Sequence, residues 1–261
     1  MRWRLRTFPA VYTAYFRRGS YYERKDRTFT NRQPLFWRNR SKNIRCKGAK
    51  IMQERKGKFI TFEGCDGCGK STQLKLLSAY LTKNGVEHIF TREPGGGKIS
   101  EAIREILLNG KNTEMSDECE ALLYAAARAQ HLTEKVAPAL AENKLVVCDR
   151  YVDSSIAYQA YGRNLGEEFV RKINSYALDN YLPDCTIFIE LSPEEAFQRK
   201  HGADENDRLE QAGLAFHNRV YDGFCKVAET EPNRVVKING RQTPEEIFSE
   251  VLSVLKAKGI L

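Results

Sequence analysis

Phe59-Ile60-Thr61-Phe62-Glu63-Gly64-Cys65-Asp66-Gly67-Cys68-Gly69-Lys70-Ser71-Thr72 is the stretch on which the fold turns. Its first four residues are apolar or β-branched and read as a strand, and the segment from Ser71 to Leu81 has the composition of a helix. Between them Gly64 to Ser71 satisfies GxxxxGK(S/T), in the strand-then-helix setting this loop requires. Glycines let successive backbone N–H groups turn into one concavity, and the helix N-terminus adds its partial positive charge. Lys70 then reaches the β- and γ-phosphates, and Ser71 offers a hydroxyl to Mg²⁺. Gly64, Cys65, Asp66, Gly67, Cys68, Gly69, Lys70, Ser71 and Thr72 are the candidate ATP-binding residues.

Outward from this loop, short apolar runs alternate with longer periodic segments, the pattern of a parallel sheet wrapped by helices. Five strands are predicted, at Phe59 to Phe62, His88 to Thr91, Leu145 to Cys148, Thr186 to Glu190 and Val235 to Ile238. Between the second and third lie two helical patterns, Ile99 to Leu108 and Ser116 to Glu142. They exceed a simple crossover and predict a substrate-covering insertion, with Ser116 as the N-cap of the second helix. The polar, glycine-bearing stretch at 199–208 has the composition of a mobile lid, whose cations Arg199, Lys200 and Arg208 can close over a triphosphate.

The net charge of +8 is unevenly placed. Residues 1–50 hold 15 Lys and Arg against only Glu23 and Asp26, a local +13, so the remainder is −5. Residues 1–51 show no sustained period and are expected to be an unstructured basic extension. Three readings of it compete: a nucleic-acid arm, an organellar transit peptide, or upstream sequence translated from a mis-chosen start. The third is favoured, since a chain beginning at Met52, seven residues before Phe59, would be complete, with the catalytic domain at 52–261. No membrane span is expected, as no stretch nears the roughly 18 apolar residues one needs. Seven scattered cysteines predict reduced thiols in an intracellular compartment, and the Cys65/Cys68 pair reads as filler of the phosphate loop.

Four further segments identify the phosphate acceptor: Thr91-Arg92-Glu93-Pro94-Gly95-Gly96, Leu122-Leu123-Tyr124-Ala125-Ala126-Ala127-Arg128, Cys148-Asp149-Arg150-Tyr151 and Asp207-Arg208-Leu209-Glu210. Arg92, at the carboxyl edge of the sheet, can pair with a monophosphate as a planar fork. Tyr124 and Arg128, four apart on a helix, present an aromatic plane and a cation to one pocket. Asp149 and Arg150 emerge beside the phosphate loop, where an acid organises Mg²⁺ and an arginine holds the acceptor.

In order and spacing, over residues 58–258, these segments together with the phosphate loop resemble the thymidylate kinase family. That resemblance implies the nucleoside-monophosphate-kinase form of the P-loop NTPase fold and transfer of the γ-phosphate of ATP, with Mg²⁺, to dTMP. It implies acceptor-phosphate contacts by Arg92 and Arg150, stacking of thymine on Tyr124 where the family commonly has Phe, and a ring-carbonyl contact by Arg128. It also implies a sugar 3′-hydroxyl contact by Asp66, and contacts by Ser155 and Tyr158 to the base and against a 2′-hydroxyl. Magnesium would be held through Ser71 and Asp149. Members carry the catalytic cation either in the phosphate loop or in the lid. Gly67 occupies the former place, so the chain looks like the lid-basic bacterial style. Catalytic roles thus fall to Lys70, Arg92, Arg150 and the lid candidates Arg199 and Arg208, in a cytoplasmic homodimer formed through helices flanking the substrate site.

No general base is needed, because a phosphate oxygen is already anionic. His88, His131, His201 and His217 lack metal-type spacing and read as surface or helix-face positions with no assigned part. The nearest rival, a deoxynucleoside kinase, needs a carboxylate base near a 5′-hydroxyl and fewer arginines. A rival from another class, a nucleic-acid-binding ATPase gripping through its first 50 residues, predicts steeply salt-dependent DNA or RNA affinity.

Overall fold

Every predicted strand forms and is one residue longer than predicted, the first, second, third and fifth at the C-terminal end and the fourth at the N-terminal end. β1 is Phe59–Glu63, β2 His88–Arg92, β3 Leu145–Asp149, β4 Cys185–Glu190 and β5 Val235–Asn239. The computed structural model describes residues 55–200 and 207–261. The expected extension at 1–51 and the centre of the expected lid, 201–206, lie outside the described residues. The helices are α1 (Lys70–Lys83), α2 (Lys98–Leu108), α3 (Asp117–His131), α4 (Ala137–Ala141), α5 (Val152–Ser155), α6 (Glu167–Ile173), α7 (Ser175–Asn180), α8 (Pro193–Lys200), α9 (Leu214–Thr230) and α10 (Pro244–Ala257).

The strands pair in parallel in the order β2-β3-β1-β4-β5. β1 is buried along its whole length, which is why its sequence is a continuous apolar run rather than an alternation. On one face Ile60, Phe62 and Ile187 pack with Leu77 and Leu81 of α1 and Val251 and Leu255 of α10. Phe188, one residue along β4 and so on the other face, joins Val220 and Phe224 of α9 and Ile156. Phe59 and Val146 meet Leu132, Val136 and Leu140 in a third cluster.

The helix expected from Ser116 to Glu142 is interrupted. Ser116 caps it as predicted, its Oγ accepting from the Cys119 N–H at 3.2 Å. Beyond His131 the backbone widens into a π-turn at Leu132–Val136 before α4 resumes. Pro138 supplies the reason: without an N–H it cannot close the α-helical bond to residue 134.

Capping differs in a way that prepares the site. α10 opens with a capping box, Thr243 and Glu246 bonding each other's backbone N–H groups, with Pro244 at its first position. α1 has no side-chain cap at Gly69, so its first N–H groups are free to face an anion.

The segment that follows β3 is tied down by a buried ion pair. Asp153, 1% exposed, accepts from Arg234 at 2.6 and 2.8 Å and from Thr186 Oγ1 at 3.0 Å. Asp153→Ala strands the Arg234 guanidinium, and unfolding in urea should show a loss of about 3–5 kcal/mol with unchanged m. A loss below about 1 kcal/mol would mean that Glu231, also bonded to Arg234, carries the pairing by itself.

Candidate active site

Sheet register decides what meets at the carboxyl edge. Arg92 on β2 stands opposite Asp149 on β3, and Asp149 stands opposite Phe62 on β1, one residue before Glu63 and the phosphate loop. β1 connects outward to β2, whereas β3 leads back past β1 to β4, so a crevice opens between adjacent strands β1 and β3. The motifs quoted from the sequence converge there.

Two clefts result, sharing Asp66, Glu93, Arg104 and Arg150 at their junction. The first, about 150 Å³, is lined by Tyr124, Arg128, Ser155 and Tyr158. The second, about 490 Å³, is lined by Gly67, Gly69, Lys70, Ser71, Thr72, Arg92, Asp149 and Lys200. Of the expected acceptor residues, Tyr124, Arg128, Ser155 and Tyr158 line the first chamber, Asp66 and Arg150 line both, and Arg92 lines the second with the expected metal residues Ser71 and Asp149 and with Gly67, Gly69, Lys70 and Thr72 of the expected donor set.

Lys70 lies over the loop, its Nζ donating to the carbonyls of Gly64 at 2.9 Å and Cys65 at 3.1 Å. Gly64, Cys65 and Cys68 do not line the cleft: they build the loop from below. The two cysteine side chains are buried in the core cluster and act as apolar packing, and burial pushes the Cys65 thiol up to about 12. Gly67 has φ +89°, and a Cβ there would come 2.3 Å from the Ala196 carbonyl of α8. No side chain fits, which is the steric reason the loop itself carries no arginine at this position.

Arg150 holds the junction together. Its backbone is left-handed, φ +64°, with its N–H on the Phe62 carbonyl at 3.0 Å. The guanidinium donates to Asp66 Oδ1 at 2.7 Å and Ser154 Oγ at 3.2 Å and lies 5.2 Å from the centre of the Tyr158 ring. Burial alone would raise the Asp66 carboxyl, but the charges of Arg150 and Lys70 outweigh it and hold the acid well below the usual carboxylate range. Asp66 is therefore an anion facing the acceptor chamber.

Arg128, 2% exposed, donates to Glu93 Oε2 at 2.7 Å, Ser155 Oγ at 2.9 Å, Asn174 Oδ1 at 2.5 Å and the Tyr151 carbonyl at 3.1 Å. Among the described residues these engage four of its five N–H groups, and the fifth remains for a ligand. Tyr158 presents a buried hydroxyl with no partner among the described residues. Asp149 Oδ1 is likewise buried and without a partner there, in the chamber that Ser71 also lines.

The three lid candidates separate. Lys200 lines the donor chamber and pairs with Glu210. Arg199 is turned away, donating to the Gly240 carbonyl at 2.8 Å. Arg208 is bound to the fully buried Glu120 at 2.6 Å and to the Leu107 carbonyl at 3.1 Å. The structure brings neither Arg199 nor Arg208 to the donor chamber, because each has a local acceptor within reach.

Several site residues escaped sequence reading. Arg104 on α2 shares the Pro94 carbonyl with Arg92, at 2.9 and 3.1 Å respectively, so two guanidiniums converge on one point of the junction. Its one sequence signal is an arginine inside the helix read as a substrate cover. Glu63, fully buried, accepts from the Tyr151 N–H at 2.7 Å and Ser154 Oγ at 2.6 Å; burial, reinforced by Asp153, raises its carboxyl to about 7. Gln159 lines the acceptor chamber and donates to Glu120 at 2.9 Å. His131 and His217, read as surface or helix-face positions, are buried, because α3 and α9 turn them inward.

This sheet, an uncapped phosphate loop and an arginine-rich second chamber define a P-loop phosphotransferase of the nucleoside-monophosphate-kinase type. The family model described as Thymidylate kinase matches residues 62–251. The chain is 47% identical to the thymidylate kinase of Clostridium novyi over 77% of its own length and 99% of that protein. It is 48% identical to that of Latilactobacillus sakei over 76% and 94% of the two chains, and 47% identical to that of Finegoldia magna over 78% and 100%. The chain belongs to the thymidylate kinase family.

Proposed function

We infer that this protein transfers the γ-phosphate of ATP to dTMP, giving dTDP and ADP. The observation that carries it is the pair of chambers joined at Asp66 and Arg150, one built for a triphosphate and the other for a planar base and a monophosphate. ATP lies along the loop with its β- and γ-phosphates against Lys70 and the α1 N-terminus. The acceptor phosphate takes the point where Arg92, Arg104 and Arg150 converge, since three guanidiniums placed together favour a dianion between them. Thymine stacks on Tyr124 and takes the remaining Arg128 N–H, and Ser155 supports that arginine. Asp66 accepts the sugar 3′-hydroxyl, and the Tyr158 hydroxyl stands against a 2′-substituent.

Ser71 and Asp149 fit a hard, oxygen-liganded cation, because the orphaned Asp149 oxygen faces the same chamber as the Ser71 hydroxyl. Magnesium held there would neutralise charge on the β- and γ-phosphates. Lys200 is the lid cation poised over the donor chamber, while Arg199 and Arg208 would have to leave Gly240 and Glu120 to join it. Closure of the lid excludes water from the transferring group.

The test is coupled ATP turnover by the fragment beginning at Met52, comparing dTMP with dUMP, dCMP, AMP and thymidine. Strong preference for dTMP is expected, and turnover of thymidine alone would overturn the acceptor assignment. The same fragment tests the reading of residues 1–51 as dispensable.

Among the described residues no helix is long and apolar enough to cross a membrane, which accords with a proposed cytoplasmic location. The assembly we propose is a homodimer through α2 and α3. Ile99 and Ile106, one face of α2, are 55% and 48% exposed and Leu122 of α3 is 52% exposed, an apolar surface beside the acceptor chamber. Sedimentation should show a dimer at micromolar concentration, and Ile106→Glu with Leu122→Glu should yield monomer. A dimer that survives both charges would place the interface elsewhere.

A further inference from the structure

His131 has no part in the chemistry just described, yet it is fully buried and both its ring nitrogens are engaged. Nδ1 lies 2.8 Å from Glu93 Oε1, and Nε2 lies 2.7 Å from Thr91 Oγ1. A carboxylate only accepts, so Nδ1 carries the hydrogen, while Nε2 meets the Thr91 hydroxyl, which can act as donor or acceptor. The ring also limits the turn beyond: a Cβ on Gly96, at φ +83°, would meet His131 Cδ2 at 2.6 Å. The segment from Thr91 to Gly96 is therefore wrapped around the imidazole. Arg92 sits between the two residues that the imidazole grips, and Glu93 gives its other oxygen to Arg128 at 2.7 Å.

From this geometry we propose that His131 is the positioning residue that sets Arg92 and Arg128 together, so that the acceptor phosphate and the acceptor base are bound in one register. The inference rests on the dTMP kinase reading and adds a specific cause for it. α3 supplies both Arg128 and, three residues on, His131, and Glu93 is clamped between them, one carboxylate oxygen to each. Loss of the imidazole frees Thr91 and one side of Glu93. Arg92 is exposed, and among the described residues its side chain bonds Glu101 and the Pro94 carbonyl alone. Its placement then depends on the backbone that His131 holds. His131 itself does not line the donor chamber, whose phosphate-loop wall of Gly67, Gly69, Lys70, Ser71 and Thr72 belongs to the loop after β1 and to α1 rather than to the segment it grips, so ATP binding should register the change far less than dTMP binding.

Two near-isosteres divide the imidazole's work. The amide nitrogen of asparagine falls near the position of Nδ1, and that of glutamine near Nε2. His131→Asn therefore keeps a donor for Glu93 and gives up Thr91, whereas His131→Gln keeps a partner for Thr91 and gives up Glu93. The experiment is steady-state kinetics of wild type and of His131→Ala, →Asn and →Gln with dTMP and ATP varied in turn, with thermal unfolding of each.

His131→Ala is expected to raise KM for dTMP about tenfold or more, the scale of a displaced binding group, with KM for ATP within about twofold of wild type. His131→Asn should recover most of the loss and His131→Gln little of it, since Glu93 is the link that reaches Arg128. Equal changes in the two KM values, an unchanged KM for dTMP, or better rescue by glutamine than by asparagine would each overturn the assignment. Should the alanine variant fail to fold, the asparagine-against-glutamine order decides by itself. A wild-type enzyme inactive on dTMP would instead remove the functional reading beneath it, an outcome visible before any variant is made.

Discussion

Lys70→Ala should lower kcat by about 10³-fold while leaving dTMP affinity within about twofold. The side chain is only 6% exposed, and its ammonium is held by the carbonyls of Gly64 and Cys65, which places the charge at the floor of the donor chamber. Charge that moves from the γ-phosphoryl toward the β-phosphate during transfer is stabilised by a cation already in place, at no cost in reorganisation. Alanine removes that cation and a brace of the loop together. Lys70→Arg recovers little, because a planar guanidinium does not fit a site closed by the loop's own backbone. Saturating kinetics, with dTMP binding followed by calorimetry, separate the two quantities. A variant that keeps kcat within tenfold of wild type would assign the γ-phosphate to another cation, Lys200 first among them.

What the sequence disclosed and what it withheld follow from where the information lies. Strands buried on both faces are continuous runs such as Phe59 to Phe62, so their places were legible to within a residue or two. The phosphate loop and the segments at Arg92, Arg128 and Asp149 were legible because their residues are contiguous and each sits at a strand end or along one helix face. Arg104, Glu63 and His131 were not. Each is a single polar residue in an otherwise ordinary element, and its role exists only once another element is packed against it: the Pro94 carbonyl, the turn at Tyr151, the carboxylate of Glu93. The lid cations were ambiguous for a related reason. Arg199, Lys200 and Arg208 have similar composition around them, and only the tertiary acceptors Gly240 and Glu120 reveal which side chains turn away. The π-turn after His131 lay within reach of the sequence, since Pro138 stands inside the pattern read as a single helix.

Arg150→Ala should cut kcat/KM for dTMP by about 10²- to 10³-fold, a loss shared by binding and chemistry. Arg150 lines both chambers and donates to the acid of the phosphate loop at 2.7 Å, closer than the 3.9 Å approach of Lys70, so it joins the donor chamber to the acceptor chamber. Its left-handed backbone is held by the Phe62 carbonyl and by Glu63, which receives the N–H groups of Tyr151 and Ser154 just beyond. Backbone strain of this kind persists only where the surroundings over-determine it, and here it aims one guanidinium at Asp66 and at the acceptor phosphate. Arg150→Lys restores charge without the fork that spans Asp66 and Ser154, and should recover less than a tenth of the activity. A pH signature distinguishes this role from general structural damage. Asp66 has its carboxyl depressed from an ordinary value of 3.8, so in wild type its ion pair contributes stability above that pH and loses it as pH falls further. Without Arg150, only the charges of Lys70 and Lys200 still oppose burial, and the carboxyl rises. The stability deficit of Arg150→Ala should then be largest near pH 7 and shrink as acid neutralises Asp66, measured by urea unfolding from pH 7 to pH 4. A deficit independent of pH would show that Arg150 serves packing rather than the charge of Asp66, and would leave the junction of the two chambers without its organising pair.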